Sequence, residues 1–64
     1  DPLLFYRCIL EFATSNLIPK GFIYLEVNPL NLEKLKNLIN DDLYSVLERI
    51  DIFGKVRMLR LQKK

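Results

Sequence analysis

The fold of this chain is decided by one stretch, Phe22-Ile23-Tyr24-Leu25-Glu26-Val27. The stretch is rich in β-branched and aromatic residues, which favour strands, and its apolar residues do not alternate with polar ones. Such a run is typical of a strand covered on both faces, as in a mostly parallel sheet. Asn28-Pro29 follows and has the composition of a turn. We therefore expect a strand at residues 22–27, buried within an α/β domain.

The segment before this strand has the pattern of an amphipathic helix. Asp1-Pro2 suits a helix start, because Asp accepts hydrogen bonds from free amides of the first turn and Pro has no N–H to satisfy. Pro19 and Gly21 end the helix, which we place at residues 2–16. Its predicted buried stripe has i, i+3, i+4, i+7, i+8 spacing and consists of Phe5, Cys8, Ile9, Phe12 and Ala13. Cys8, the single cysteine, is thus predicted to be a core residue.

Three elements are predicted after the strand. A second helix covers residues 30–40, with Asn31 as its N-cap and a buried stripe formed by Leu32, Leu35, Leu38 and Ile39. Two strands follow, at residues 43–50 and 56–62. They are joined by Asp51-Ile52-Phe53-Gly54-Lys55, a hairpin connection in which Gly54 is free to take a positive φ. The Lys63-Lys64 pair is predicted to be a solvated tail.

The order α-β-α-β-β predicts the topology. Two strands joined by a crossover helix run parallel to each other. The hairpin then allows the last strand to insert between them, antiparallel to both. We therefore expect an α/β fold with a three-stranded mixed sheet and two helices.

Composition excludes several classes of function. The chain has 64 residues, a net charge of +2 and 50% hydrophobic residues, which disfavours disorder. It has no histidine, which excludes a histidine base, a Cys-His dyad and a histidine metal ligand. No apolar run approaches the about 20 residues of a membrane span, so the expected location is cytoplasmic. A chain this small with so much apolar surface either packs very efficiently or lacks a partner surface.

Motifs along the chain resemble one branch of the class I methyltransferases. The pattern F-Y-R-x-I-x3-A-x3-L-x-P-x-G is matched by Phe5-Tyr6-Arg7, Ile9, Ala13, Leu17, Pro19 and Gly21. Two shorter matches follow: an L-E-I-like strand end at Leu25-Glu26-Val27, and a D-x-x-G-x-x-R-like hairpin at Asp51, Gly54 and Arg57. The branch is the HemK-type protein-(glutamine-N5) methyltransferases, which use S-adenosylmethionine to modify peptide-chain release factors.

The chain departs from this branch at three places. Asp1-Pro2 stands where the branch has Asp-Gly, and Pro19-Lys20-Gly21 stands where it has P-G-G. After the strand the chain has Asn28-Pro29-Leu30-Asn31, where the branch carries a glycine or asparagine and then a glutamine.

The resemblance implies that residues 1–64 are a single domain, the C-terminal portion of a Rossmann-like methyltransferase catalytic domain. The portion would supply strands five to seven of the sheet, while the intact parent binds S-adenosylmethionine and a release factor. The Gly-rich turn that cradles the cofactor, and the acid that holds its ribose, would precede Asp1 in the N-terminal remainder of the enzyme. We therefore expect no catalytic, cofactor-binding or metal residue in this chain, and no catalysis by it alone.

Glu26 is the one candidate substrate-binding residue. An acid near the carboxyl end of a parallel strand faces the ligand crevice of an open α/β sheet. A structural alternative is pairing with Arg57 on a neighbouring strand. Asn28-Pro29 resembles the start of the family's catalytic Asn-Pro-Pro-Tyr loop, but the second Pro and the aromatic are missing, so we interpret it as a turn. We assign structural or packing roles to Arg7, Arg49, Arg57, Arg60, Tyr6 and Tyr24.

Two other kinds of function remain open at this stage. A free-standing small α+β module would use its apolar face to bind another protein, and self-association through the apolar surface or a sheet edge is a related possibility. A β-sheet nucleic-acid binder requires exposed aromatics flanked by basic residues on its strands. The strands are predicted to be buried, and charges of both signs are interspersed, which disfavours a nucleic-acid partner.

Overall fold

A computed structural model describes all residues from Asp1 to Lys64. The chain forms helix α1 at Leu4–Asn16, strand β1 at Phe22–Glu26, a 3-10 turn at Pro29–Asn31 and helix α2 at Leu32–Leu38. Two strands follow, β2 at Tyr44–Ile50 and β3 at Val56–Lys63. The predicted order α-β-α-β-β is confirmed. Neither helix has both the length and the hydropathy that crossing a membrane requires.

The sheet has the strand order β1-β3-β2. Strand β3 pairs antiparallel with β1 on one side and with β2 on the other. The two outer strands therefore run in the same direction without touching, as the crossover through α2 predicts. The predicted insertion of the last strand between the first two is confirmed.

Both helices pack on the same face of this sheet. Side chains alternate between faces along a strand, so the cross-strand partners Leu25 and Leu59 point the same way. They share a core with both helices, whose buried members are Leu3, Leu25, Val27, Leu35, Ile39, Tyr44, Leu59 and Leu61. The predicted stripe of α2 is confirmed, because Leu35 and Ile39 are buried and Leu32 and Leu38 pack against the cluster.

The other face of the sheet is uncovered, and the expectation that β1 is buried on both faces is wrong. Phe22, Tyr24 and Glu26 are exposed, because no element of these 64 residues packs over them. We call this surface the open face. It carries Phe22, Tyr24, Glu26, Ser45, Leu47, Arg49, Met58, Arg60 and Gln62.

The predicted stripe of α1 is rotated relative to the observed one. Phe5 is 69% exposed and Phe12 is 68% exposed. Cys8 is also exposed, so its prediction as a core residue is wrong. Apolar residues cover more than one side of this helix, and periodicity alone did not distinguish the two stripes. The stripe that packs on the core consists of Leu3, Tyr6, Ile9, Leu10, Ala13 and Leu17.

Both helices begin later than predicted. Helix α1 begins at Leu4, with Leu3 as its N-cap and no side-chain cap bond, so the predicted start at Asp1-Pro2 is wrong; the Asp1 Oδ1 accepts from the Leu3 N–H at 2.9 Å within the turn that precedes the helix. Asn31 was expected to cap α2 but makes no side-chain cap bond. Asn28 replaces it, because the chain enters α2 through a 3-10 turn and the Asn28 Oδ1 accepts from Leu30 N–H at 3.0 Å.

Lys63 is tied to the carboxyl end of α1, and the predicted solvated tail is wrong. Its Nζ donates to the carbonyls of Ala13, Thr14 and Leu17 at 3.4, 3.0 and 2.8 Å. A cation is favoured there because the last carbonyls of a helix lack backbone partners and carry partial negative charge. Lys64 Nζ also donates, to the Asp41 carbonyl at 2.8 Å.

Lys20 occupies a backbone conformation that suits glycine. Its φ is 69°, at the third position of a turn closed by the Gly21 N–H and the Ile18 carbonyl at 3.0 Å. We expect Lys20→Gly to raise the free energy of unfolding by about 0.5–1 kcal/mol, because relief of left-handed strain exceeds the added entropy of the unfolded chain. Urea unfolding followed by circular dichroism measures this change.

The matched control for Lys20→Gly is Lys34→Gly, which places glycine in the exposed interior of α2. That substitution is expected to lower the free energy of unfolding by about 1 kcal/mol. A decrease in both variants would contradict the strain assigned to Lys20.

Candidate functional site

One end of the sheet gathers the candidate residues. Because β1 and β2 run in the same direction, the carboxyl end of β1 and the β2–β3 hairpin lie at the same end. In open α/β sheets this is the end at which ligands bind. Glu26 and Asn28 lie here, with the hairpin residues Asp51–Lys55 on the far side of β3.

A groove of about 740 Å³ runs between α1 and the outer edge of β1. Most of its lining is apolar, and the polar groups collect where β1 ends. Helix α1 contributes Phe5, Tyr6 and Ile9, β1 and its end contribute Tyr24, Leu25, Glu26, Val27 and Asn28, and β3 contributes Arg57. Glu26 lines this groove, and its role in binding a substrate stays a prediction.

Glu26 carries no ion pair, so the alternative interpretation, in which it pairs with Arg57, is wrong. The Arg57 Nε donates instead to Asp51 Oδ2 at 2.8 Å, because the hairpin brings these two residues together. The backbone carbonyl of Glu26 accepts a hydrogen bond from the Tyr6 hydroxyl at 2.6 Å. Tyr6 therefore joins α1 to the end of β1, and the exposed Glu26 carboxylate remains free to meet a ligand.

Asn28 has the geometry of a strand-to-helix turn. Its side-chain oxygen is engaged with the Leu30 N–H, and the Asn28 carbonyl accepts from the Asn31 N–H at 2.8 Å. These bonds account for Asn-Pro at this position, as predicted from the sequence. Leu30 itself is exposed.

The outer edge of β1 has unpaired backbone groups. Gly21 accepts from Lys63 N–H, and Val27 donates to the Arg57 carbonyl, so the residues of β1 that bond to β3 are the odd-numbered ones. The N–H and C=O groups of Phe22 and Tyr24 consequently point away from β3, toward the groove side. An extended segment that added to this edge would satisfy them.

Asp51 organises the β2–β3 hairpin. Its Oδ1 accepts from the N–H groups of Phe53 and Lys55 at 2.8 and 3.1 Å, while Oδ2 accepts from Arg57. The Arg57 hydrogen bond, with help from the Lys55 and Phe53 amides, lowers the pKa of the Asp51 carboxyl below its ordinary value. Gly54 takes the predicted positive φ, 78°.

Asp51→Asn is expected to reduce the acid sensitivity of the fold. Because the folded pKa of Asp51 is lowered, its carboxylate stabilises the fold above about pH 4, and this contribution is lost as the pH falls through the folded pKa. The variant should be less stable than the wild type at neutral pH and should approach it in acid. Urea unfolding at neutral and acidic pH measures both differences.

Asp42→Asn is the control for this pH dependence, since Asp42 is exposed and forms no ion pair. The difference in the free energy of unfolding between wild type and the Asp51 variant should shrink in acid. A difference that stayed constant from neutral pH into acid would contradict the lowered pKa of Asp51.

The other charged side chains have mainly structural contacts. Arg7 pairs with Asp1, and Lys36 on α2 pairs with Glu48 on β2. The hydrogen bond to Glu48 raises the pKa of Lys36 above its ordinary value. Arg49 lies on the open face and forms no ion pair.

The open face bears on the nucleic-acid question. The strands were expected to be buried, yet Phe22 and Tyr24 are exposed next to Arg60. That reason for disfavouring a nucleic-acid partner is wrong. The Arg60 guanidinium lies 5.0 Å from the centre of the Phe22 ring and occupies its stacking surface, and the Glu26 carboxylate on the same face repels phosphate.

The glycines of the chain do not form a cofactor cradle. A Cβ at Gly21 would lie 2.7 Å from Leu17 Cδ1, so packing within the protein explains this glycine. Gly54 belongs to the exposed hairpin and is separated from Gly21 by the length of β3. No group of three or more acidic or thiol side chains is placed to hold a metal ion. The two glycines therefore do not fit a Gly-rich cofactor site.

Comparison with known proteins finds a similarity to a curated methyltransferase. The chain is 39% identical over 62 residues to the release factor glutamine methyltransferase of Flavobacterium psychrophilum. The alignment covers 95% of this chain and 22% of that enzyme, so the chain spans about a fifth of the length of the curated relative. No protein-family profile matches the chain, and no solved structure matches it. The similarity supports a relationship to the methyltransferase branch whose motifs the sequence resembles.

Proposed function

We propose that this chain is the C-terminal part of an S-adenosylmethionine-dependent methyltransferase that methylates a glutamine side chain of peptide-chain release factors. Within that enzyme it is a structural part of the catalytic domain and one wall of the substrate crevice. The observation that carries the proposal is the similarity to the Flavobacterium enzyme, which extends over 95% of the chain.

The places of the motif residues in the fold support this proposal. Pro19 and Gly21 form the turn from α1 into β1, and Tyr6 bonds to the strand end at Glu26. Asp51 and Arg57 bind each other across the hairpin. Each quoted motif thus includes residues at a connection between elements, where a change of residue would alter how the elements meet.

The two edges of the sheet differ in a way that also supports the proposal. Strand β2 has a register irregularity at Arg49/Ile50 and charged residues along it, both of which discourage further pairing. Strand β1 reads Phe-Ile-Tyr-Leu-Glu and contains no bulge, lysine or proline. By this criterion β2 is built as a terminal edge and β1 is built to pair with another strand.

The remaining exposed apolar residues fit the same proposal. The outer stripe of α1, formed by Phe5, Cys8 and Phe12, is apolar, and the open face carries the exposed side chains of Phe22, Tyr24 and Leu47 among polar and charged ones. The remainder of a longer enzyme would cover these apolar side chains, as expected for the layers of an α/β domain. The N-terminal remainder is therefore the first partner we propose for this chain.

The chemistry assigned to the chain is limited to positioning. S-adenosylmethionine would supply the methyl group from a site in the remainder of the enzyme. Tyr6 holds the end of β1. Glu26 lies at the carboxyl end of that strand, beyond the part of the groove that a strand paired with Phe22 and Tyr24 would fill, and there a substrate side chain would extend to it. The Glu26 carboxylate is able to accept a hydrogen bond from the N–H groups of a glutamine amide.

A chimeric enzyme tests the proposal. The 64 residues replace the aligned segment of the Flavobacterium enzyme, and methyl transfer from labelled S-adenosylmethionine to a release factor is measured. We expect transfer by the chimera and none by the chain alone or by the Flavobacterium enzyme lacking that segment. A folded chimera without transfer would overturn the proposal.

A second candidate function is a free-standing protein-interaction module. The exposed apolar side chains of the open face and of the outer stripe of α1 favour it, because exposed apolar patches on monomeric proteins often mark binding sites. Sedimentation of the chain and a search for an upstream reading frame discriminate the two. A stable monomer encoded directly after its own start codon would favour the module.

A further inference from the structure

The tip of the β2–β3 hairpin has an unusual choice of residues. Ile52 and Phe53 occupy the two central positions of a turn closed by the Gly54 N–H and the Asp51 carbonyl at 3.1 Å. Gly, Pro, Asn, Asp and Ser dominate such positions because they suit the backbone or bond to it. Here Ile52 is 93% exposed and Phe53 is 78% exposed.

The tip residues do not stabilise the chain itself. Neither belongs to the core or packs against it, and each places an apolar side chain in water. Natural proteins break local rules of this kind mainly at functional sites. The turn is held by Asp51, which bonds to two of its amides, so the tip is ordered before any partner arrives. Such preorganisation lowers the entropic cost of binding.

The surroundings of the tip are basic. Arg49 and Lys55 flank it, both are exposed, and neither forms an ion pair. The only acid within the turn, Asp51, is engaged by Arg57. The tip therefore presents two apolar side chains within a positively charged border.

We propose that this tip docks the protein substrate, inserting Ile52 and Phe53 into an apolar pocket whose rim is acidic. This inference rests on the proposed function and adds to it a contact surface outside the groove. The tip lies at the same end of the sheet as the groove, so a protein that presents a side chain near Glu26 can reach it. Aromatic anchors in apolar pockets dominate the binding energy of many interfaces.

Binding is tested on the labelled chain with a release factor as the probe. A ¹H–¹⁵N spectrum should show shifts at residues 50–55, and the double variant Ile52→Ser, Phe53→Ser should weaken binding by about tenfold or more. Leu30→Ser is the matched control, because Leu30 is 88% exposed at the same end of the sheet but outside the hairpin. It should bind like the wild type.

Three results would overturn the docking role. They are shifts confined to the groove, equal binding by the double variant, and tip shifts caused by vesicles of phosphatidylglycerol but not by the release factor. The last result would assign the tip to a membrane surface.

The chimera separates this inference from the proposed function. With the tip changed, the KM for the release factor should rise about tenfold. The KM for S-adenosylmethionine should stay constant, whereas a merely structural defect would alter both. A chimera that methylates equally well with either tip overturns the docking role and leaves the proposed function in place. A folded chimera that does not methylate overturns the proposed function, and the binding measurement then decides the docking role separately.

Discussion

Leu59→Ala is expected to lower the free energy of unfolding by about 3 kcal/mol. Leu59 is 0% exposed in the central strand β3, where its cross-strand partners are Leu25 and Glu48. The loss combines the transfer of buried methyl groups with the cavity they leave. A domain of this size is stable by only about 3–10 kcal/mol, so the variant is expected to be largely unfolded or close to it.

Leu47→Ala provides the matched control for Leu59→Ala. Leu47 is the same residue type in the neighbouring strand β2, but it lies on the open face and is 46% exposed. Its loss is expected to be below about 1 kcal/mol. Urea unfolding followed by circular dichroism measures both variants. Equal losses would mean that the two faces of the sheet are equally covered, contrary to the structure.

Gly21→Ala is expected to lower the free energy of unfolding by about 2–3 kcal/mol. The added Cβ would lie 2.7 Å from Leu17 Cδ1 and 2.9 Å from the Ile18 carbonyl oxygen. The Leu17 side chain can move, but the carbonyl is fixed by its hydrogen bond to the Gly21 N–H. Relief of the clash would shift the start of β1, where the Gly21 carbonyl accepts from Lys63.

Gly54→Ala isolates the backbone contribution from this clash. A Cβ at Gly54 meets nothing within 4 Å, while its φ of 78° is strained for alanine. The cost should be about 1–2 kcal/mol, smaller than at Gly21. Thermal and urea unfolding of both variants give the comparison. A larger loss at Gly54 would show that the close approach at Gly21 is absent in solution.

The sequence predicted the order of the elements and the inserted strand, because local composition and the handedness of crossover connections determine them. The β-branched run at 22–27, the proline and glycine after α1 and Gly54 in the hairpin each act within a few residues. Their effects do not depend on what else packs against the chain. Helix α2 begins at Leu32 and not at residue 30 as predicted. Asn28, not Asn31, bonds to the 3-10 turn that precedes the helix.

Burial was predicted less well. An apolar side chain indicates that the residue will be covered, but it does not indicate which part of the protein covers it. Phe5, Cys8 and Phe12 form one apolar stripe of α1, and a second stripe packs on the core instead. Phe22 and Tyr24 follow the same logic on the open face. Under the proposed function, these side chains would be buried in the whole enzyme. The apolar pattern of α1 and β1 would then reflect burial in the whole enzyme and not in these 64 residues.

The candidate site was predicted only in outline. Glu26 lies in the groove, as expected for the end of a strand, but its position there depends on Tyr6, whose hydroxyl bonds to the Glu26 carbonyl. That bond joins residues 20 positions apart and requires the packing of α1 on β1. The only sequence signal for it was the occurrence of Tyr6 and Glu26 in two motifs of the same family. The exposed hairpin tip was visible as Ile52-Phe53, yet its exposure required the structure.

The position of β3 has a consequence for how the chain folds during its synthesis on the ribosome. Strands β1 and β2 each pair only with β3, and the carboxyl end of α1 is held by Lys63 near the far end of β3. A nascent chain that has emerged only as far as β2 therefore has two strands with no partner. Synthesis proceeds from the amino end, so β1 and β2 are made before β3, the strand with which both of them pair. Translation must deliver β3 before any of the sheet can assemble.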